Sequence, residues 1–561
     1  MRRWVGLVAL VAAMACAAEA NMFVTESRGT PAAVPGSQSP LDHVRYFAPD
    51  DPLFATWQWN LTLAGAEPDL NVEPAWARGV TGQGVTIGIV DDCLQTTHPD
   101  LAPNYDAADS WDFGQDDGDP NPVYSGDMHG TSVAGVAAAR GGNAVGVTGV
   151  APLASVAGLR IDFDNQTEEM FADATRYHSS GGITTIAVKN HSYGIAVPYI
   201  DTPLETAAFI DSAAAGTMHA MAAGNERDLH SGYYFDENNN GEFDPDIDYA
   251  IDADANKKAG QNLPDVIAVT AVGADGVFTW YADWGACVFV AAPSNGVSGK
   301  SIATTDRTGG AGYNGGSDPI LNADYTSLFG GTSAATPQVV GVLALGKQVN
   351  PAMDVRMAKH LLARTSRIID PDDFTVSSDG GWRTNAAGYT FNQNYGFGLI
   401  DADAFTQEAA LWTGVSPLVT EATGLVDVDE AITGEGGVFR NFTFSTLGLL
   451  EEVEVYLDIT HSWRGDLEAY LTSPAGTTSR LMMANWVDSF DVIDWTFATN
   501  AFWGEQAAGE WYLEIIDTYP GADDGVWHSF SALARMGELV PEPATLALVA
   551  VGAVALLRRR R

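Results

Sequence analysis

Basic residues and cysteine are what this 561-residue chain has least of: 28 Lys plus Arg stand against 72 Asp plus Glu, a formal net charge of −44, and there are three cysteines. So few cations exclude a bulk surface built for nucleic acid or anionic membrane, which needs concentrated positive charge. An acidic surface favours solubility and cation binding instead. Cys16 falls in an N-terminal apolar segment, so Cys93 and Cys287 can form at most one intramolecular disulfide, or else remain two separate buried thiols. A long apolar run is also lacking at the C-terminal end. Ala544 to Leu557 would be about 21 Å long as a helix, short of the roughly 30 Å hydrocarbon core, which argues against a permanent anchor.

What the chain does have is a serine between a glycine turn and an apolar helical run, Gly331-Thr332-Ser333-Ala334-Ala335-Thr336-Pro337. Pro337 is read as lying within the first helical turn, where proline is tolerated. Upstream stand Val85 to Asp92, a β-branched run that reads as a buried strand ending at Asp91, and Asp127-Met128-His129-Gly130-Thr131, which opens a small-residue helix. A serine hydroxyl is a poor nucleophile unless an imidazole takes its proton, and that imidazole needs a carboxylate to hold its tautomer. Asp91, His129 and Ser333 supply those three groups. Met221-Ala222-Ala223-Gly224-Asn225 adds an amide able to donate to an oxyanion beside the Ser333 N–H. Singly, each motif is more often a turn or a helix cap; together, in this order, they point to acyl transfer.

These blocks resemble the subtilisin-like (peptidase S8) serine endopeptidases, and the doublet Asp91-Asp92 is similar to their kexin-like branch. Asn71 to Trp76, Gly146 to Pro152 and Asn394 to Asp401 extend the resemblance, which covers about 51–412. It implies an α/β fold, a parallel sheet flanked by helices, and hydrolysis of peptide bonds through an acyl-enzyme. Alternating apolar strand-like and Ala-rich helical runs support that fold independently. The resemblance also assigns Ser192, Tyr193 and Gly194 to the edge that pairs with extended substrate, and Asp92 and Asp127 to acidic positions facing it. Ile195-Ala196-Val197-Pro198 replaces the acidic stretch expected next, so cleavage after medium or large residues is expected, with at most a mild basic preference. The competing reading is an inactive protease-fold surface or matrix protein that binds partners.

Within the acidic insert 233–254, Asp236, Asn238, Asn240 and Asp244 place oxygens at the spacing of a calcium loop, with Gly241 at the turn, although a solvated acidic turn would carry the same letters. Subtilisin-like enzymes usually need structural calcium, so calcium is the cofactor expected.

After Trp412 the pattern changes to short alternating strands with turns at Ser473-Pro474-Ala475-Gly476 and Tyr519-Pro520-Gly521, which predicts an antiparallel β-sandwich. Ile459 to Glu468 and Leu471 to Thr477 resemble the P domain of kexin-like proprotein convertases, a jelly-roll sandwich, over 415–537. Residues 1–20 read as a secretory signal, with lipoprotein processing at Cys16 as an alternative, and 21–50 as a linker. Val540-Pro541-Glu542-Pro543, an apolar run and terminal arginines resemble the bacterial PEP-CTERM sorting signal over 538–561. The partners implied are protein or peptide substrates and an exosortase-type processing machinery. The location implied is secreted or at the surface of a bacterium, after transient membrane association.

Overall fold

The computed structural model describes residues 47–62, 67–235, 248–433, 437–519 and 524–541. Its larger unit is built on a seven-stranded sheet: β1 (Thr86–Asp91), β2 (Trp111–Asp112), β3 (Ser155–Arg160), β4 (Ile186–His191), β5 (Met218–Ala222), β6 (Val266–Val272) and β7 (Val288–Pro293). The spatial order is β7-β6-β5-β4-β1-β3-β2, and every pairing is parallel. Strands buried on both faces read as continuous apolar runs, as β6 does with seven buried residues. Ile87 and Ile89 of β1 belong to the main core, whereas Val90 packs on the other face with Ala157, Leu159 and Ala174.

The helices of this unit include α1 (His129–Ala138), α2 (Glu168–Arg176), α3 (Pro203–Ala214), α4 (Thr332–Val349), α5 (Val355–Thr365) and α6 (Ala402–Ala409). Helix α4 is buried from Thr332 to Gly346 and runs through the middle of the main core. It begins at Thr332, so Pro337 lies in its second turn and not in its first, contrary to the expectation from sequence. The missing Pro337 N–H leaves the Ser333 carbonyl without its helical donor, and the Ser192 hydroxyl donates to that carbonyl at 3.2 Å. Ile183–Thr184 forms a ribbon with Ser179–Ser180, and β4 starts at Ile186.

The second unit is two antiparallel sheets. One orders Val419–Ala422, Gly525–Met536, Leu450–His461 and Val492–Thr499, with Val426–Ile432 also on Gly525–Met536; the other orders Val438–Phe444, Gly509–Asp517, Leu467–Thr472 and Thr478–Met482. Alternate residues Val453, Val455, Leu457 and Ile459 meet Trp511, Leu513 and Ile515 in its core, the period-two pattern of a half-buried strand. Arg464-Gly465-Asp466 is a short turn in which Arg464 Nε donates to both Asp488 oxygens, at 3.0 and 2.9 Å, a structural role.

The two units share a polar, buried seam. Asn256 donates to Leu481 O at 2.7 Å and accepts from the Ala498 N–H at 3.0 Å, and Lys257 donates to Asp252 at 2.8 Å and to Met483 O at 2.7 Å. On α5, Arg356 donates twice to Glu451, at 2.8 and 2.6 Å, and His360 Nε2 lies 2.9 Å from the same carboxylate. Removing one partner of such a pair strands the others away from water, at a cost of about 3–5 kcal/mol. Glu451→Ala is therefore expected to destabilise the protein by about 3 kcal/mol in denaturant unfolding; a loss below about 0.5 kcal/mol, the value of an exposed pair, would refute this account of the seam.

Candidate active site

Each predicted group sits at the end of an element that the sheet presents on one edge. Asp91 closes β1, where open parallel sheets place their ligands, and is almost wholly buried. Both its oxygens lie 2.9 Å from His129 Nδ1, so the ring nitrogen facing the carboxylate carries a proton and Nε2 faces outward. His129 is the first residue of α1. No side chain of its own helix caps that terminus. Asp92 does so from β1's end: it accepts from the N–H groups of Met128 (2.9 Å), His129 (3.0 Å) and Gly130 (2.8 Å). These are groups a helix start leaves unpaired. The fit leaves no room at 130, since a Cβ there would fall 2.1 Å from the Cys93 carbonyl oxygen.

Ser333 is the second residue of α4, after Gly331 at φ +77°, a left-handed conformation that glycine adopts without strain. Asn295 Oδ1 accepts from the Gly331 N–H at 2.9 Å, and Ser294 donates to the Gly331 carbonyl at 2.7 Å. The Ser333 hydroxyl donates to Ser192 O at 3.3 Å, which with the reverse Ser192 bond ties α4 to the end of β4. Phe329, on the strand leading into this turn, meets the His129 ring edge-on at 5.4 Å. Asn225 follows β5; its Oδ1 accepts from the Thr332 N–H at 2.8 Å and the Thr332 hydroxyl at 3.1 Å. With the amide oxygen held there, the amide nitrogen is the group left to donate.

The structure turns the carboxylates of Asp92 and Asp127 inward, unlike the substrate-facing placement expected of them. Asp92 caps α1. Asp127 accepts from Val123 N at 2.9 Å, Tyr124 N at 3.1 Å and buried Arg160 at 3.1 Å, while Arg160 also holds Asp112 at 3.1 Å. Ser192 and Gly194 remain at the end of β4, and the Tyr193 hydroxyl points into the protein, 2.9 Å from Glu205 Oε1. Cys93 and Cys287 are two free, buried thiols, and burial pushes both pKa values well up. Asp236, Asn238, Asn240 and Asp244 lie outside the described residues. Among the described residues, no group of three or more His, Cys, Asp or Glu side chains is arranged to hold a metal, and no helix is long and apolar enough to cross a membrane.

Sequence reasoning missed a buried cluster behind Asn225. Glu226 Oε2 accepts from the Asn225 N–H at 2.9 Å and from Lys258 at 2.6 Å, Asp283 accepts from the Glu226 N–H at 2.8 Å, and Lys258 also binds Asp283. Burial opposes the Lys258 charge, but Asp283 and Glu226 outweigh it and hold the ammonium above its ordinary range. These residues lie 25 to 57 positions apart in pairs, so no local pattern announces them.

A parallel α/β sheet that brings a carboxylate, an imidazole and a helix-terminal serine from three elements, joined to an antiparallel β unit, defines a subtilisin-like protein with an appended sandwich. The chain belongs to the subtilase family, whose model matches residues 82–398. The proprotein convertase P-domain matches 450–532 and the PEP-CTERM protein-sorting motif 539–561. Proprotein convertase subtilisin/kexin type 5 of Rattus norvegicus is 31% identical over 471 residues, 81% of this chain and 24% of that protein. Furin of Mus musculus is 31% identical over 511 residues, 87% of this chain and 58% of that protein. The chain thus spans about a quarter of the length of the first of these relatives. Among solved structures, a serine protease of Aeromonas sobria superposes with a TM-score of 0.76 at 28% identity, covering 90% of this chain and 100% of that one. The same protease in complex with its chaperone gives 0.77 at 26% identity, over 87% and 96%.

The His129 environment has a measurable consequence. Burial lowers its proton affinity, but the Asp91 charge and hydrogen bond and the Asp92 charge more than offset it, lifting the pKa to about 9. The folded pKa exceeds the unfolded one, so this group's contribution to stability is complete below about pH 6.5 and is lost as pH rises through about 9. An NMR titration of the His129 ring should show a midpoint near 9, and Asp92→Asn should lower it. A wild-type midpoint near 6.5 would contradict the geometry.

Proposed function

We propose that this subtilase is a secreted serine endopeptidase that cleaves peptide bonds through an Asp91-His129-Ser333 triad and an acyl-enzyme. One observation carries the reading. Asp91 grips His129 Nδ1 at 2.9 Å, on the same sheet edge that presents Ser333 at the start of α4. Ser333 attacks the substrate carbonyl while neutral His129 takes its proton at Nε2, and Asp91 steadies the imidazolium that forms. In the resting state the hydroxyl is bonded to Ser192 O, and catalytic hydrogen bonds are often unformed without substrate. The Asn225 amide and the Ser333 N–H, at a positive helix end, receive the oxyanion. His129 gives the proton to the amine nitrogen as the C–N bond breaks; it then takes a proton from the water that attacks the acyl carbonyl and returns it to Ser333 Oγ as the carboxylic acid leaves.

Extended substrate is read as pairing with the backbone at Ser192 and Gly194, which makes recognition largely independent of side chains. With Asp92 and Asp127 occupied by the protein, preference for medium or large residues over paired basic ones follows. The division into a peptidase domain (51–412), a sandwich (415–537) and a C-terminal sorting segment processed by an exosortase-type machinery at a bacterial surface belongs to the same proposal.

Ser333→Ala is expected to abolish both hydrolysis and fluorophosphonate labelling while leaving thermal unfolding unchanged. Asn225→Ala should lower kcat by about 10²–10³. In the wild type, kcat/KM should climb with pH as His129 loses its proton, toward a limb near 9. A wild-type protein that takes up no fluorophosphonate would favour a non-catalytic surface protein instead.

A further inference from the structure

Beneath the Ser192–Gly194 edge runs a line of buried polar side chains that the hydrolytic cycle does not use. Lys189 places its ammonium on three carbonyls, those of Ala174 and Thr175 at 2.8 Å and Tyr177 at 2.7 Å, with Ser179 Oγ at 2.9 Å. An ammonium has no lone pair. Ser179 therefore cannot donate to it and gives its proton to Thr175 O at 2.9 Å. The proton between Ser212 Oγ and Ser179 Oγ, 2.8 Å apart, then belongs to Ser212. Ser212 must in turn accept from His219 Nε2 at 2.8 Å. If His219 is neutral, its Nδ1 is an acceptor and His191 Nε2 donates to it at 3.0 Å. If His191 is neutral too, its Nδ1 accepts from the Tyr193 hydroxyl at 2.8 Å. That hydroxyl has one proton, and Glu205 Oε1 lies 2.9 Å from it on the other side.

The line therefore holds one proton more than two neutral imidazoles, a phenol and a carboxylate can supply. It can sit on Glu205, leaving these four side chains uncharged, or on an imidazole with Glu205 ionised. Charge separation inside a buried site is costly, and His191, His219 and Glu205 are all buried. The surroundings favour the uncharged form. Glu205 on α3 is faced from α2 by Glu168, which accepts from the Leu204 and Glu205 N–H groups, and from the segment after β4 by Tyr193. Arg176 of α2 is paired with Asp211 of α3 at 3.1 Å. Burial draws the Lys189 pKa well down, but the three carbonyls around it can only accept and so call for the three N–H groups of an ammonium; burial, with that charge adding to it, pushes both imidazoles well down. Burial, with Glu168 adding to it, lifts the Glu205 carboxyl to about 7 against the Tyr193 hydrogen bond.

We propose that Glu205 is a positioning residue that acts as a neutral carboxylic acid, its proton completing the donor line through Tyr193 to His191 and so holding the Ser192–Gly194 edge in register for substrate. The inference rests on the endopeptidase reading above. When Glu205 ionises, its proton leaves to solvent and the Tyr193 proton turns to the carboxylate. His191 Nδ1 then faces an oxygen lone pair with no donor, and the edge loosens.

The test compares wild type, Glu205→Gln and Tyr193→Phe. The Gln amide donates to the Tyr193 oxygen at every pH, as the protonated acid does. Between about pH 6 and pH 9, wild-type KM for a peptide substrate should rise about tenfold with kcat following His129 alone, the loss of about one net hydrogen bond. Glu205→Gln should hold a low KM throughout, and Tyr193→Phe should show a raised KM that no longer depends on Glu205. Difference infrared spectra of wild type minus Glu205→Gln should show a carboxylic-acid carbonyl band that disappears as pH rises through about 7. The proposal is overturned if that band is absent, or if Glu205→Gln reproduces the wild-type dependence of KM on pH. Failure of the endopeptidase reading is seen separately, as a wild type that takes up no fluorophosphonate; the infrared arm still decides the state of Glu205.

Discussion

The site depends on one contact: the first turn of α1 pressed against the end of β1. Asp91 is the last residue of β1 and Asp92 the first beyond it, and both act on the same helix terminus, one on the ring of His129 and the other on the backbone that carries it. Three N–H groups on the Asp92 carboxylate fix where His129 starts, and the absence of a side chain at Gly130 fixes how close it comes. The imidazole's position is thus set by backbone geometry, and the Asp91 bond then chooses its tautomer. An exposed capping residue would contribute about 1 kcal/mol. Here the cap is acidic, half-buried and shared between two elements, which makes it a positioning device as much as a stabilising one.

The same economy of polar groups explains where the scarce cations go. Lys189, Lys257, Lys258, Lys359, Arg160 and Arg480 are all buried, out of only 28 basic residues in the chain. Each is held by carboxylates or carbonyls, as a buried charge must be. Many acidic side chains are buried with them, among them Asp112, Asp252, Asp283 and Glu452, and the excess of acid over base in the chain still leaves the surface acidic. Such a surface steers cationic chains toward the molecule and repels acidic ones. Steering of this kind acts on encounter and not on the pocket, so it is compatible with a cleft whose nearest acidic side chains are turned inward.

The legible part of the structure was the part written in local pattern. The β-branched run into Asp91, the small-residue helix after His129, the glycine turn before Ser333 and the period-two strands beyond Trp412 each carry their own signal. The parallel sheet and the antiparallel sandwich follow from those signals. What stayed hidden is set by partners distant in sequence. Asp127 looks like a free acidic residue beside His129 until Arg160 is brought to it by β3. Asp92 looks like a pocket carboxylate until α1 docks on it. Pro337 reads as a first-turn proline because nothing local tells that the helix already begins at Thr332. The Glu226-Lys258-Asp283 cluster has no motif at all.

Pro337 and Tyr193 show why those hidden contacts matter to the edge between β4 and α4. A proline in the second turn removes one donor and so frees the Ser333 carbonyl, and Ser192 fills the gap while its own carbonyl takes the Ser333 hydroxyl. Two reciprocal bonds of 3.2 and 3.3 Å make the serine-bearing helix and the substrate-pairing segment one body. The next residue, Tyr193, is held from below by His191 and Glu205. The segment is therefore clamped from both sides, by Ser333 on the face of the chemistry and by a buried proton line on the other. The two sets of bonds act on adjacent residues and together bear on the distance between the bound backbone and the nucleophile. Attack distances tolerate errors of about an ångström poorly, so register at this edge and reactivity at Ser333 are set by the same few hydrogen bonds.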